Sequence, residues 1–237
     1  MFSSEIFYTY FAKSYGEYAA TRRPYIESVN NFIRQEVDNI KTIVDVGSGD
    51  GERGRELARL LTVKDITLID NSDGMITLSK QIPGAVVIKA DFSSSEFKSE
   101  RNYNAVFCLW NVLGHIAAER REMALRNLSL LVDEGGVIFM DVNNRYNVAH
   151  YGLISVMKNI AKDIFSPKSS NGDFNLSLVV DGKDIQTKVH IFSPFEIRRL
   201  IKSADLVVVK RRVFDYKTGA SKVGVWDGQL VYKLKKK

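Results

Sequence analysis

The sequence predicts an α/β protein built on a mostly parallel sheet with helices on both faces, and three observations carry that prediction. Short apolar strands alternate with helical segments between residues 42 and 142. The first strand runs into "IVDVGSGDGERG" (43–54), three glycines at alternate positions followed by a charged, helix-forming segment. The second strand ends in Asp70, about 20 residues after that loop, the spacing at which α/β nucleotide sites place a ribose-binding carboxylate. Apolar strands separated by helices are covered on both faces and pair in parallel.

The opening "MFSSEIFYTYFAKSYGEY" is helical and aromatic-rich, and "RPYIESVNNFIRQEV" sets Ile26, Val29, Phe32, Ile33 and Val37 at helical spacing. "TIVDVG" reads as strand 1, and "GERGRELARLL" as a helix with Leu57, Leu60 and Leu61 inward. "DITLID" is strand 2, followed by the helix "SDGMITLSKQI" capped at Ser72. "AVVIKADF" and "YNAVFCLW" read as strands 3 and 4. The amphipathic "AERREMALRNLSLLV" closes at Asp133-Glu-Gly-Gly136, before strand 5, "GVIFMDVN". Then the pattern changes. "NVAHYGLISVMKNIAKDIF" is helical, "SPKSSNGDF" is rich in turn formers, and "NLSLVVDGKDIQTKVHIFS" reads as a hairpin around Asp181-Gly182. "PFEIRRLIKSA" is a last helix, with Glu196 three residues beyond a capping Ser193. "LVVVKRRVFDY" and "GQLVYKLK" are the final strands. One domain over 1–237 is expected, with a helical cap at 1–40 and a lid or substrate insertion at 145–192.

Composition narrows the function classes. At 45% hydrophobic and 26% charged, the 237 residues suit an ordinary globular domain with its own core. No stretch approaches the roughly 18 apolar residues of a membrane span, and the N-terminus lacks a basic head with an apolar block. Cys108 is the single cysteine, so no intrachain disulfide or cysteine metal site forms. A soluble, cytoplasmic protein without membrane insertion is expected, as monomer or homodimer. Residues 151–237 carry 17 Lys+Arg against 8 Asp+Glu, whereas residues 1–150 carry 17 against 20. That basic excess is either a solubilising surface or a face for an anionic substrate or nucleic acid; no aromatic-and-basic motif supports nucleic acid.

Glycines at a strand end let backbone N–H groups approach a ligand, and the next helix offers its N-terminus. Dinucleotide loops follow Gly-x-Gly-x-x-Gly; here the pattern is Gly47, Gly49, Gly51, and Glu52 takes the place of the last dinucleotide glycine. A carboxylate there disfavours pyrophosphate and suits a ligand with a cationic end. Asp70 can accept both hydroxyls of a ribose. Asp91 and Phe92, in "KADF", can address an adenine amino group and ring.

"VDVGSGDG", "LIDNSDGMI", "KADF", "YNAVFCLWNVLGHI", "LVDEGGVIFMDV" and "HIFSPFEIRRLIKSADLVVVKRR", in this order, resemble the class I S-adenosylmethionine-dependent methyltransferases over nearly the whole chain. The strand 4 segment and tyrosine-rich opening look most like small-molecule members of the glycine N-methyltransferase type. The resemblance implies a Rossmann-like, seven-stranded sheet in the order 3-2-1-4-5-7-6 with strand 7 antiparallel. It implies S-adenosyl-L-methionine as cofactor and S-adenosyl-L-homocysteine as product. The methionine part would lie over Gly47, Ser48 and Gly49, with Asp45 stabilising the loop. Asp70 would hold the ribose, Asn71 and Met75 would line the adenine side, and the backbone at Cys108–Leu109 would face the amino group. Tyr10, Tyr15, Tyr18, Arg22 and Arg23 of the N-terminal helix would close over the cofactor, with Arg22 or Arg23 on its carboxylate; the same cluster also reads as core packing.

Asn111 and His115 follow strand 4 and can face the reacting methyl. His115 reads either as a general base or as a capping or packing residue, and Trp110 as pocket wall or core. Asp141, Asn143, Asn144 and Arg145 follow strand 5, where ligands gather, and Tyr146, His150 and Tyr151 begin the insertion; each reads as substrate contact or surface polarity. His190, on the hairpin, is open. No spacing demands a metal. The expected activity is methyl transfer to an N or O nucleophile of a small molecule, which an anionic acceptor would also fit. The alternatives are an RNA-directed methyltransferase and a non-catalytic binder of the cofactor; aminopropyl transfer lacks an acidic cluster for a polyamine. "LWNVLG" has no proline, against base methylation of the Asn/Asp-Pro-Pro-aromatic type.

Overall fold

The computed structural model describes residues 2–180 and 182–237. The parallel half of its sheet is β1 (Thr42–Val46), β2 (Asp65–Asp70), β3 (Ala85–Lys89), β4 (Tyr103–Cys108) and β5 (Val132–Val142). Helices α1 (Ser4–Ala20) and α2 (Arg23–Gln35) precede β1, and α3 (Glu52–Leu60), α4 (Asp73–Ser79) and α5 (Arg121–Leu131) lie between later strands. After β5 come α6 (Val148–Tyr151), α7 (Leu153–Phe165), β6 (Asp173–Val180), β7 (Lys183–His190) and α8 (Pro194–Ser203). The chain ends with β8 (Leu206–Phe214), β9 (Ser221–Lys222) and β10 (Gln229–Lys236).

The sheet runs β3-β2-β1-β4-β5-β10-β8-β9, the expected order with β8 as strand 6 and β10 as strand 7. β10 is antiparallel to both β5 and β8. The two-residue β9 adds an eighth, edge strand, and β6–β7 form a separate hairpin; Asp181 of its expected turn lies outside the described residues. Side chains alternate across the strands, so each face has its own core. Val44, Val46, Val106, Ile138 and Met140 pack with Leu125 and Leu128 of α5 and Ile197 of α8. Ile43, Phe107 and Phe139 pack with Ile26, Val29 and Phe32 of α2 and Leu57 of α3. A third cluster joins Phe7 and Phe11 of α1 to Val180 and Ile185 of the hairpin.

Caps read from sequence hold: Ser72 accepts from the Met75 N–H and Ser193 from the Glu196 N–H, 3.1 Å in the second case. Other boundaries shift. β5 starts at Val132, not Gly136, because Asp133–Gly136 form an irregularity inside the β4–β5 pairing. The helix expected after β5 breaks at Gly152 (φ 79°, ψ 153°), a conformation reserved almost wholly for glycine. In α3, Leu57 is fully buried, whereas Leu60 and Leu61 are half-buried; Ala58 and Gly54 take the inner positions instead.

Candidate functional site

A cavity of about 700 Å³ opens at the carboxyl ends of the parallel strands, and a second of about 440 Å³ lies across the glycine loop. Gly47, Leu109, Trp110 and Tyr15 border both. The loop is shaped by left-handed backbone at Gly47 (φ 69°) and Gly49 (φ 56°). The N–H groups of Gly47 and Ser48 both reach the Ile69 carbonyl, at 2.7 and 3.0 Å, tying the end of β1 to β2. A side chain at Gly47 would run into Val112, and one at Gly49 into the Tyr15 ring standing over it.

Asp70 accepts from the Gly49 N–H at 3.0 Å and the Ser72 N–H at 2.9 Å, so the acidic end of β2 also organises the loop. Burial raises its pKa against those hydrogen bonds. Asn71, Met75, Ala90, Asp91 and Phe92 line the same end of the large cavity. Asp91 and Phe92 follow β3 rather than end it. Burial opposes ionisation of Asp91, yet hydrogen bonds from Ser93 and the Arg120 guanidinium, at 2.7 Å, hold it below the usual carboxylate range.

Trp110 and Asn111 follow β4 with φ of 64° and 59°, a strained pair for residues with side chains. The surroundings determine the conformation several times over. Buried Asp141, at the end of β5, accepts from the Trp110 N–H and the Tyr25 hydroxyl. The Trp110 indole stacks on Tyr18 and donates to Tyr216 at 3.0 Å. The Asn111 carboxamide donates to the His190 carbonyl at 3.2 Å and accepts from the Asn143 N–H at 2.9 Å. It braces β4, β5 and β7 together and borders the cavity.

His115 also borders it. Its Nε2 is 3.1 Å from the Tyr8 hydroxyl, and its buried Nδ1 has no partner. Burial pulls its pKa down to about 4, so the ring is neutral at physiological pH. Tyr8 is absent from the sequence reading; the aromatic density of the opening was its only signal. Opposite, Leu176 and Leu178 of β6 and Phe7 and Phe11 of α1 close over the cavity.

The arginines sort differently from expectation. Arg22 lies over the Tyr216 ring at 4.8 Å. Arg23 borders the small cavity but pairs with Glu27 and Glu56 at 2.6 and 2.7 Å. Arg53, which sequence reading passed over inside "GERG", borders the small cavity beside Asp45 and Ser48. Its Nε donates to Asn30 at 3.1 Å, while Nη1, Nη2, the Asn30 amide nitrogen and the Ser48 hydroxyl are buried without partners. Burial pushes Asp45 up to about 7 despite the Arg53 charge. A cluster of orphaned donors next to a reluctant carboxylate fits a zwitterion, anion toward Arg53 and cation toward Asp45.

Several expected substrate contacts lie elsewhere. Tyr10 is exposed. Arg145 is buried, forked onto Asp163 at 2.9 and 3.0 Å and bonded to Glu196 at 2.6 Å. The Tyr146 hydroxyl donates to Asp163 and its ring stacks on Trp226. Asn144 is fully buried against Gly228, and His150 packs edge-on to Tyr151 and Tyr216. Of the strand 5 and hairpin candidates, Asn143 and His190 border the large cavity.

Comparison with known proteins bears on the fold that carries these residues. Residues 43–136 match the family described as a methyltransferase domain. No curated protein matches the chain in sequence. Among solved structures, the DhpI-SAM-HEP complex is similar over 99% of this chain and 100% of its own, at 21% identity and a TM-score of 0.67. DesVI of Streptomyces venezuelae is similar over 95% of this chain and 98% of its own (14% identity, TM-score 0.65), and the CcbJ methyltransferase of Streptomyces caelestis over 90% of each (14%, 0.67). Residues 43–136 are thus similar to a methyltransferase domain, and the chain has the fold of the class I S-adenosylmethionine-dependent methyltransferases.

Proposed function

We propose that this protein binds S-adenosylmethionine and transfers its methyl group to a nitrogen or oxygen of a small molecule. The observation that carries the reading is a pair of adjoining cavities that share Tyr15, Gly47, Leu109 and Trp110 as walls. They lead from the orphaned donors around Arg53, over the bare backbone of Gly47 and past Asp70, to the roofed space holding His115. S-adenosylmethionine supplies, when bound, a methyl already activated on a cationic sulfur.

Arg53 and Ser48 would take the amino-acid carboxylate, and Asp45 would face the ammonium. Asp70 would accept from the ribose hydroxyls, and Asn71, Met75 and Phe92 would border the adenine. Asn111 would position the neighbouring backbone for the acceptor. His115, neutral and with Nδ1 unpartnered, would take the proton that an attacking hydroxyl or ammonium must lose, while Tyr8 orients the ring. Alignment and exclusion of water then provide most of the acceleration. A cavity roofed by α1 and the β6–β7 hairpin favours a small acceptor over a polynucleotide.

Calorimetric titration with S-adenosylhomocysteine tests the reading. The wild type should bind in the micromolar range and Asp70→Ala at least about tenfold more weakly, since a charged hydrogen-bond acceptor is lost. Absence of binding in the wild type would overturn it.

A further inference from the structure

We propose that helix α7 is an in-plane docking face for anionic membrane surfaces. Helix α7 spans Leu153–Phe165, yet Val156 is its one fully buried apolar side chain. Leu153, Ile154, Met157, Ile164 and Phe165 are exposed, Ile154 at 73% and Phe165 at 85%. Their spacing, with steps of four and seven residues and their neighbours, gathers them into one broad stripe along the helix. A stripe this apolar, left in water, is an interaction surface.

Charge selects the occupant. The one acidic residue of α7, Asp163, is turned inward, where Arg145, Tyr146 and Asn171 hold its carboxylate. The charged side chains the helix shows to solvent are Lys158 and Lys162, with Lys168 in the turn that follows. Among the described residues none of these three lysines has a carboxylate within ion-pairing distance. The C-terminal part of the chain that includes α7 is basic as well: residues 151–237 carry 17 Lys+Arg against 8 Asp+Glu. Packing this face on a second copy of the chain would bring helices together whose exposed charges are all positive. An anionic bilayer supplies both what the apolar stripe and what the lysines lack, the pattern of interfacial amphipathic helices. No helix among the described residues is long and apolar enough to cross a membrane; α7 would lie along the surface. It belongs to the same insertion as the hairpin that roofs the cavity, so docking would set the roof against the bilayer.

Co-sedimentation of the full chain with vesicles tests this independently of cofactor binding. Vesicles of equal parts phosphatidylcholine and phosphatidylserine should capture the protein, and phosphatidylcholine alone should capture it about tenfold more weakly, in a salt-sensitive way. Ile154→Asp/Ile164→Asp should lose about tenfold or more in vesicle affinity. Lys158→Glu/Lys162→Glu, which leaves the apolar stripe intact, should lose a similar factor on the anionic vesicles alone. Both variants should keep the wild-type circular dichroism spectrum and melting temperature, since the substituted side chains lie in solvent. Equal failure to bind both vesicles would overturn the proposal. So would a concentration-dependent dimer in light scattering that Ile154→Asp/Ile164→Asp abolishes, because the occupant would then be a second copy.

Discussion

Two buried polar clusters sit on either side of the strand ends, and they differ in one respect. In the segment after β5, Arg145 has Asp163, Glu196 and the Ile191 carbonyl, and His190 lies between Asp173 at 2.6 Å and Glu196 at 2.9 Å. Each of these polar groups has a hydrogen-bonding partner. Beside the glycine loop, Arg53 has one hydrogen bond to Asn30 and two terminal nitrogens without any. Paired buried charges hold a fold together, whereas unpaired donors cost stability and are retained where a ligand completes them. The same residue type is thus fully paired in one place and, on the proposed function, left open for a ligand in the other.

The largest effect expected from this contrast is at Arg145. Arg145→Ala would leave Asp163 buried without a cation and Glu196 with only the more distant Arg121, and should destabilise the protein by about 3–5 kcal/mol in denaturant unfolding, with S-adenosylhomocysteine affinity little changed. A loss below about 1 kcal/mol would erase the distinction between the clusters.

Next comes pH. Asp45 is raised to about 7 from 3.8, so the folded state holds a proton that the unfolded state releases. Stability should fall by about 4 kcal/mol as pH climbs through that window. His115 is lowered to about 4 from 6.5. Here the unfolded state binds the extra proton, and stability should rise by about 3 kcal/mol as pH climbs from the lower value to the upper. The two slopes oppose each other. Relative to the wild type, Asp45→Asn should therefore take about 4 kcal/mol of fall out of the unfolding profile over its window, and His115→Gln about 3 kcal/mol of rise over the other. A wild-type profile that keeps its shape in either variant would remove that residue from the account.

The smallest expected change in folding, and the sharpest test of recognition, is Arg53→Met. Unfolding free energy should move by less than about 1 kcal/mol, because the lost donors were largely unpaired. Affinity for S-adenosylhomocysteine should drop about 10–100-fold, the range for a charge-assisted hydrogen-bonded pair. Affinity for 5′-methylthioadenosine, which has no amino-acid portion, should stay the same. Equal losses for both ligands would assign Arg53 to the fold.

Much of this was readable in order along the chain. The alternation of strands and helices, the caps at Ser72 and Ser193, and the placing of Gly47, Asp70, Asp91 and Phe92 at strand ends depend on local periodicity and turn chemistry, whereas the strand order and the places of Asn71 and Met75 were implied by the family resemblance. The bulged start of β5 and the break at Gly152 were missed because both rest on backbone geometry that several sequences tolerate.

What folding alone settled is which side chains are left without partners. Arg22, Arg23 and Arg53 are equivalent as letters, and Arg145 looked as available as any of them. Their difference comes from residues remote in sequence: Tyr216 under Arg22, Glu56 beside Arg23, Asn30 beside Arg53, Asp163 and Glu196 around Arg145. His115 likewise met Tyr8 from 107 positions away. Periodicity is a property of neighbours along the chain and can be read there; hydrogen-bond satisfaction in a dry interior is a property of neighbours in space, and only packing assigns it.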